Sequence, residues 1–211
     1  MIAWLNFAVL VAATFLTLIF YVKSVGPVAL ARRIGERAWH RCELYRRAAI
    51  ITMSITVLNY VVMLFYPLPL PIPRHFPWPW PLSIAIGLLI LTPALYLLIR
   101  GSKDAGEETL KPRPGHGMYG GIYEKMRHPQ AVGESVTWLA GAFLLHSPFL
   151  AAYSLIWLPI YYVMCLAEER DLVLRFGQEY VDYRRRVGFF GPKRGTPTTD
   201  RDAQGGKDVA N

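Results

Sequence analysis

Residues 115–187 contain GHGMYGGIYEKMRHPQAVGE (Gly115–Glu134), then two apolar runs back to back, then CLAEERDLVLRFGQEYVDYRRRV (Cys165–Val187). Arg127, His128 and Pro129 open an apolar hairpin, and Glu168 and Glu169 close it. Only Ser147–Pro148 separates the two runs, which predicts two antiparallel helices lying side by side. Polar chemistry at both feet of one hairpin predicts a site where a membrane meets water. The rest of the chain is expected to form the wall behind it.

Composition supports a membrane setting. The chain has 211 residues, 53% hydrophobic and only 18% charged. The apolar residues come in blocks, and a block of about 20 such residues spans a bilayer. The net charge of +8 sits in short loops between those blocks. That pattern follows the positive-inside rule and argues against a face that tracks nucleic-acid phosphates. Cys42 and Cys165 are far apart and make no CxxC, so neither a disulfide framework nor a zinc site is expected.

An all-α polytopic membrane protein follows, with five transmembrane helices and a cytoplasmic C-terminal amphipathic helix. The expected spans are Ile2–Val22, Ala48–Tyr66, Leu82–Ile99, Ala131–His146 and Phe149–Ala167. Lys23, the arginines from Arg32 to Arg47, Arg100, Lys111 and Arg113 mark cytoplasmic loops, so the N-terminus is expected outside and the C-terminus inside. In the first loop an amphipathic helix should lay Trp39 and Leu44 against lipid. Asn59 should hydrogen-bond to a neighbouring helix. Residues 67–81, PLPLPIPRHFPWPWP, hold too much proline for a helix, and Phe76, Trp78 and Trp80 suit a headgroup layer. Three regions result: 1–114 as an N-terminal membrane region of three spans, 115–191 as a hairpin with a C-terminal helix, and 192–211 as a disordered tail.

The candidate chemistry lies at the two feet. Pro129 favours the first turn of a helix. A helix start presents free N–H groups and a partial positive charge, a seat for a carboxylate or phosphate. Glu168–Glu169 is expected at the end of the fifth span, where acids oppose the helix dipole, and a cationic partner such as a sulfonium would relieve that. Glu134 lies one turn past Gln130, inside a span, where an ionisable group is costly and functional by default. GHGMYG fits GxGxxG but lacks a preceding strand, so its glycines serve close backbone approach to a ligand rather than a dinucleotide fingerprint. The histidines show no metal spacing, and no metal is expected.

Gly121-Ile122-Tyr123, Arg127-His128-Pro129, Glu168-Glu169, Phe176-Gly177, Glu179-Tyr180 and Tyr183, in this order and spacing, resemble the isoprenylcysteine carboxyl methyltransferase family. The related phospholipid N-methyltransferases share much of the pattern. The resemblance implies an integral membrane enzyme that uses S-adenosyl-L-methionine, bound on the cytoplasmic side under the last hairpin and the C-terminal helix. It implies cofactor contacts at Gly117, Met118, Tyr123, His128, Pro129, Glu168 and Glu169, with Glu168 and Arg127 as catalytic candidates. Gln130, Glu134 and Met164 are the candidate acceptor-facing residues. Met164 stands where carboxyl methyltransferases of the family carry an arginine thought to meet the substrate carboxylate. The expected reaction is methyl transfer to a lipophilic acceptor embedded in the bilayer. A phospholipid N-methyltransferase, an NADPH-dependent sterol-reductase-like enzyme and a non-enzymatic membrane scaffold remain open as alternatives.

Overall fold

The computed structural model describes residues 1–106, 111, 117–118 and 120–191. The expected tail at 192–211 and most of the glycine-rich connector, including Gly115 and His116, lie outside the described residues. Among the described residues the fold is all-helical. α1 covers Ile2–Ser24, α2 Pro27–Ile34, α3 Arg37–Phe65, α4 Trp80–Ala105, α5 Pro129–Leu144, α6 Pro148–Ser154, α7 Trp157–Phe176 and α8 Gln178–Arg186. A short 3₁₀ turn at Gly121–Glu124 precedes α5.

Among the described residues four segments are long and apolar enough to cross a membrane: α1, α3, α4 and Pro148–Phe176, which joins α6 to α7. The expected fourth span is not among them. α5 has 16 residues, about 24 Å at 1.5 Å per residue, against a hydrocarbon core of about 30 Å. It packs instead along α4, through glycines on both helices. A Cβ on Gly133 would lie 2.6 Å from the Ala94 carbonyl oxygen, and one on Gly87 2.8 Å from the Leu144 side chain. Small residues of this kind let membrane helices approach closely.

α1 and α3 form the other close pair. Thr17 Oγ1 donates to Thr52 Oγ1 at 2.9 Å, and Asn6 Nδ2 donates to the Asn59 carbonyl at 3.1 Å. The Asn59 side chain itself donates to Ile55 O of its own helix. The interhelical bond at this level therefore comes from the partner asparagine, because the backbone carbonyl of Asn59 faces α1. α7 closes the core between the pairs. Trp157 is fully buried and stacks on Trp138, with ring centroids 4.3 Å apart.

Other expectations change in the folded chain. α3 starts at Arg37, well before the expected span. Trp39 lies under the Arg175 guanidinium, 5.4 Å from its ring centroid, so the expected lipid contact is replaced by a cation–π contact. The proline-rich loop is not helical up to Trp80, but its aromatic residues pack on the end of α5: Phe76 stacks on Phe143 at 5.0 Å. Glu168 and Glu169 are not at a helix end. α7 runs on to Phe176, and Gly177, at φ 58°, breaks the expected helix over 168–187. The dipole argument for a cationic partner at these glutamates therefore does not hold.

Candidate active site

Two chain segments about 40 positions apart meet at the foot of α5 and the lower half of α7. His128 is the N-cap of α5 and Pro129 its first residue. Glu169 Oε1 accepts from Arg127 Nη1 at 2.6 Å and from His128 Nε2 at 2.9 Å. A carboxylate only accepts, so His128 Nε2 carries the proton. Arg184 Nε of α8 lies 3.6 Å from Glu169 Oε2. Glu169 is buried between two arginines and the His128 ring.

Glu168 differs. Its side chain is 29% exposed, and its nearest ionic neighbour is His128 Nδ1 at 3.8 Å. Adjacent positions on a helix point about 100° apart. One glutamate therefore ties the feet together while the other keeps a partly exposed carboxylate.

The chain after α8 returns over this cluster. The Arg127 backbone N–H donates to Gly188 O at 3.0 Å. The Phe189 ring lies 5.1 Å from the Arg127 guanidinium and 4.5 Å from the His128 ring. The connector is braced from the other side. Tyr183 Oη donates to the Tyr123 carbonyl at 2.7 Å, and Tyr123 Oη donates to the Gly101 carbonyl of α4. Burial pushes the Tyr183 phenol up to about 12 and also raises Tyr123, so both remain protonated donors. Gly121 adopts φ 65°, and a Cβ there would run into the Asp104 carboxylate, which accepts the Ile122 N–H at 2.8 Å. Gly117 is exposed and Met118 half-buried on this connector.

Above the cluster lies a cavity of about 240 Å³ lined by Tyr21, Arg46, Gln130, Glu134, Tyr161 and Met164, among others. The three acceptor-facing candidates, Gln130 and Glu134 of α5 and Met164 of α7, thus line one cavity. Tyr161 Oη lines the cavity beside Glu134 and accepts from Trp138 Nε1 at 3.4 Å. Ile50 and Ser54 also line the cavity and lie on the exposed face of α3, so it reaches the lipid-facing surface. Cys165, another lining residue, and Met164 lie three and four positions before Glu168, one turn along α7. The partly exposed Glu168 carboxylate therefore lies one helical turn below the cavity.

Sequence reasoning missed Arg46. It read as one of several topology-setting cations, yet it reaches the cavity wall. Its Nε donates to Ser24 Oγ at 2.9 Å, and its guanidinium lies 4.9 Å from the Tyr21 ring centroid. Phe189 was also missed; its neighbours Gly188 and Phe190 give no motif. Among the described residues no group of three potential metal ligands occurs.

The Glu168 carboxylate offers an acceptor for a cation, and the start of α5 at Pro129 offers backbone N–H groups for an anion. A half-exposed carboxylate suits a cationic centre, and the buried Arg127–Glu169–His128 knot fixes its backdrop. Residues 83–179 match the family model described as phospholipid methyltransferase. No curated protein and no solved structure matches the chain.

Proposed function

We propose, for a chain whose residues 83–179 belong to the family of membrane methyltransferases that unites the phospholipid and isoprenylcysteine enzymes, that it transfers a methyl group from S-adenosyl-L-methionine to a lipophilic acceptor. The observation that carries this reading is the position of Glu168, exposed beside His128 and one turn below a cavity open to the lipid face. S-adenosyl-L-methionine, when bound, supplies an electrophilic methyl on a positive sulfonium. His128, Pro129 and Glu168, with the backbone of Gly117 and Met118, are the residues that would hold it. Glu168 places negative charge where the sulfonium would sit. Phe189 and the α8 brace exclude water from the back of the site. Arg127 acts through Glu169, holding the two feet in register, and so belongs with the positioning groups.

The acceptor enters from the bilayer between α3 and α5. Glu134, on the same cavity as Tyr161, favours an amine over a carboxylate at the reacting end, as does Met164 in place of an arginine. Arg46 opposite provides for a phosphate on the same headgroup. An amine-bearing phospholipid satisfies both. The guanidinium of Arg46 also supports a second reading, a prenylated cysteine carboxylate held from α3. The chemistry in either case is positioning of an in-line displacement in a water-poor site. The reading includes an outside N-terminus and a cytoplasmic site, with α5 completing a fifth, shorter passage supported by α4.

The test uses the full chain purified in detergent. Calorimetry should show S-adenosyl-L-methionine binding, and radiolabel should pass to phosphatidylethanolamine in preference to a prenylated cysteine. Transfer only to the prenylated cysteine selects the second reading. Absence of S-adenosyl-L-methionine binding, or NADPH binding in its place, overturns both.

A further inference from the structure

A second charged concavity lies on the N-terminal side of the fold, outside the cluster around Glu169. It is a groove of about 350 Å³ whose walls include Val22 and Lys23 of α1, Leu30 and Arg33 of α2, and Arg41 and Tyr45 of α3. Three cations line it and no carboxylate does. Among the described residues none of the three makes an ion pair. The nearby acids are otherwise placed: Glu43 is bound to Arg47 at 2.6 Å, Asp171 Oδ1 accepts the Val28 and Ala29 N–H groups, and Glu36 is exposed on the turn before α3. Mutually repelling cations held around one concavity favour an anion between them.

An apolar track leads down from these charges. Phe15, Ile19 and Lys23 follow a spacing of four and share one stripe of α1. Phe15 and Ile19 are each 46% exposed. Phe20 of the next stripe stacks on Tyr45 at 6.4 Å, and Lys23 Nζ lies 5.6 Å from the same Tyr45 ring centroid. Cations above and an exposed apolar stripe below, at the end of a membrane-length helix, match a molecule with an anionic head and hydrocarbon tails. A free phosphate would leave the stripe uncovered.

We infer that this groove binds the phosphate of an anionic glycerophospholipid, with its acyl chains along the Phe15–Ile19 stripe of α1. The site is separate from the acceptor cavity and does not depend on the methyl-transfer reading. α2 is tied to α7 through Asp171, so an occupant also stiffens the helix that carries Glu168.

The experiment titrates delipidated full-length protein in detergent with dioleoyl-phosphatidylglycerol and counts bound lipid by native mass spectrometry. One phosphatidylglycerol should be retained in preference to phosphatidylcholine, and millimolar inorganic phosphate should not displace it. R33Q/R41Q should weaken retention about tenfold or more, given the effect of each cation near a lipid surface. R32Q/R37Q removes the same charge outside the groove and should change nothing. The inference is overturned by equal weakening in both pairs, by equal retention of phosphatidylcholine, or by displacement with inorganic phosphate. Should R33Q/R41Q not fold, K23Q decides: reduced retention supports the site, and unchanged retention overturns it.

Discussion

α5 is bracketed by two histidines of equal burial. His128 precedes Pro129 at one end and His146 follows Leu144 at the other, and each is 5% exposed. Their neighbours differ in kind. His128 sits among Arg127, Glu168 and Glu169. His146 sits between aromatic rings, 5.4 Å from His75 and 5.5 Å from Trp80, with its Nδ1 2.6 Å from Ser83 Oγ. Trp78 Nε1 donates to that same oxygen, which leaves the Ser83 hydroxyl proton available to His146 Nδ1. The inner histidine is part of an ion network with one glutamate still open to a ligand. The outer one is a neutral lock that pins the proline-rich loop on α5. Equal burial therefore does not mean equal function; the charge of the surroundings decides which end can handle a charged substrate.

The largest expected effect breaks the inner network. Glu169→Ala leaves Arg127 and His128 buried without their carboxylate and should cost about 3–5 kcal/mol, read as denaturant unfolding in detergent. Glu168→Gln sharpens the contrast between the neighbouring acids. It should lower methyl transfer about 100-fold, within the usual range for a positioned acid or base, while unfolding stays within about 0.5 kcal/mol of the parent. Equal stability losses in the two variants would remove the distinction between a tying and a presenting glutamate.

The middle of α5 should respond to packing alone. Gly133→Ala places a methyl 2.6 Å from the Ala94 carbonyl and 2.9 Å from Leu98 N. Backbone cannot yield as a side chain tip does, so a loss of about 1–3 kcal/mol is expected, measurable as a lower melting temperature.

The smallest effect concerns the outer lock and pH. Burial, and then the neighbouring His75, lowers the His146 pKa below its ordinary 6.5. The unfolded chain thus takes up a proton at His146 before the folded one does. The stability His146 contributes is complete above about pH 6.5 and falls as pH drops below that value. His146→Asn should flatten that acid-side slope in thermal melts between about pH 5 and 7, with methyl transfer at neutral pH unchanged. A slope that persists in the variant would assign it to the inner network instead.

Much of this protein was legible as a string. The run Arg127-His128-Pro129 announced a helix start, and α5 begins at Pro129. Gln130 and Glu134 were legible as one face because they are four apart, and Met164 stood out only through the family resemblance, where an arginine is replaced. Arg46 was not legible. It stands among six other cations in 23–47, and no periodicity separates the arginine that turns inward from those that stay in water. The length of α5 and the continuation of α7 through Glu168 also escaped. Hydropathy sees where apolar residues stop, whereas a helix continues wherever its backbone bonds are favourable, here until Gly177.

The sequence by itself determined that the chain is helical, that its apolar blocks want lipid, and which residues mark the two feet of the hairpin. Those are local properties: propensity, block length and spacing along one chain. Only the tertiary structure decided that Glu169 is neutralised while Glu168 is partly open, that Arg46 shares a cavity with Glu134, and that one histidine sits among charged side chains and the other in an aromatic lock. Each of these depends on which groups from distant segments exclude water around a charge, and that exclusion exists only once the helices have packed.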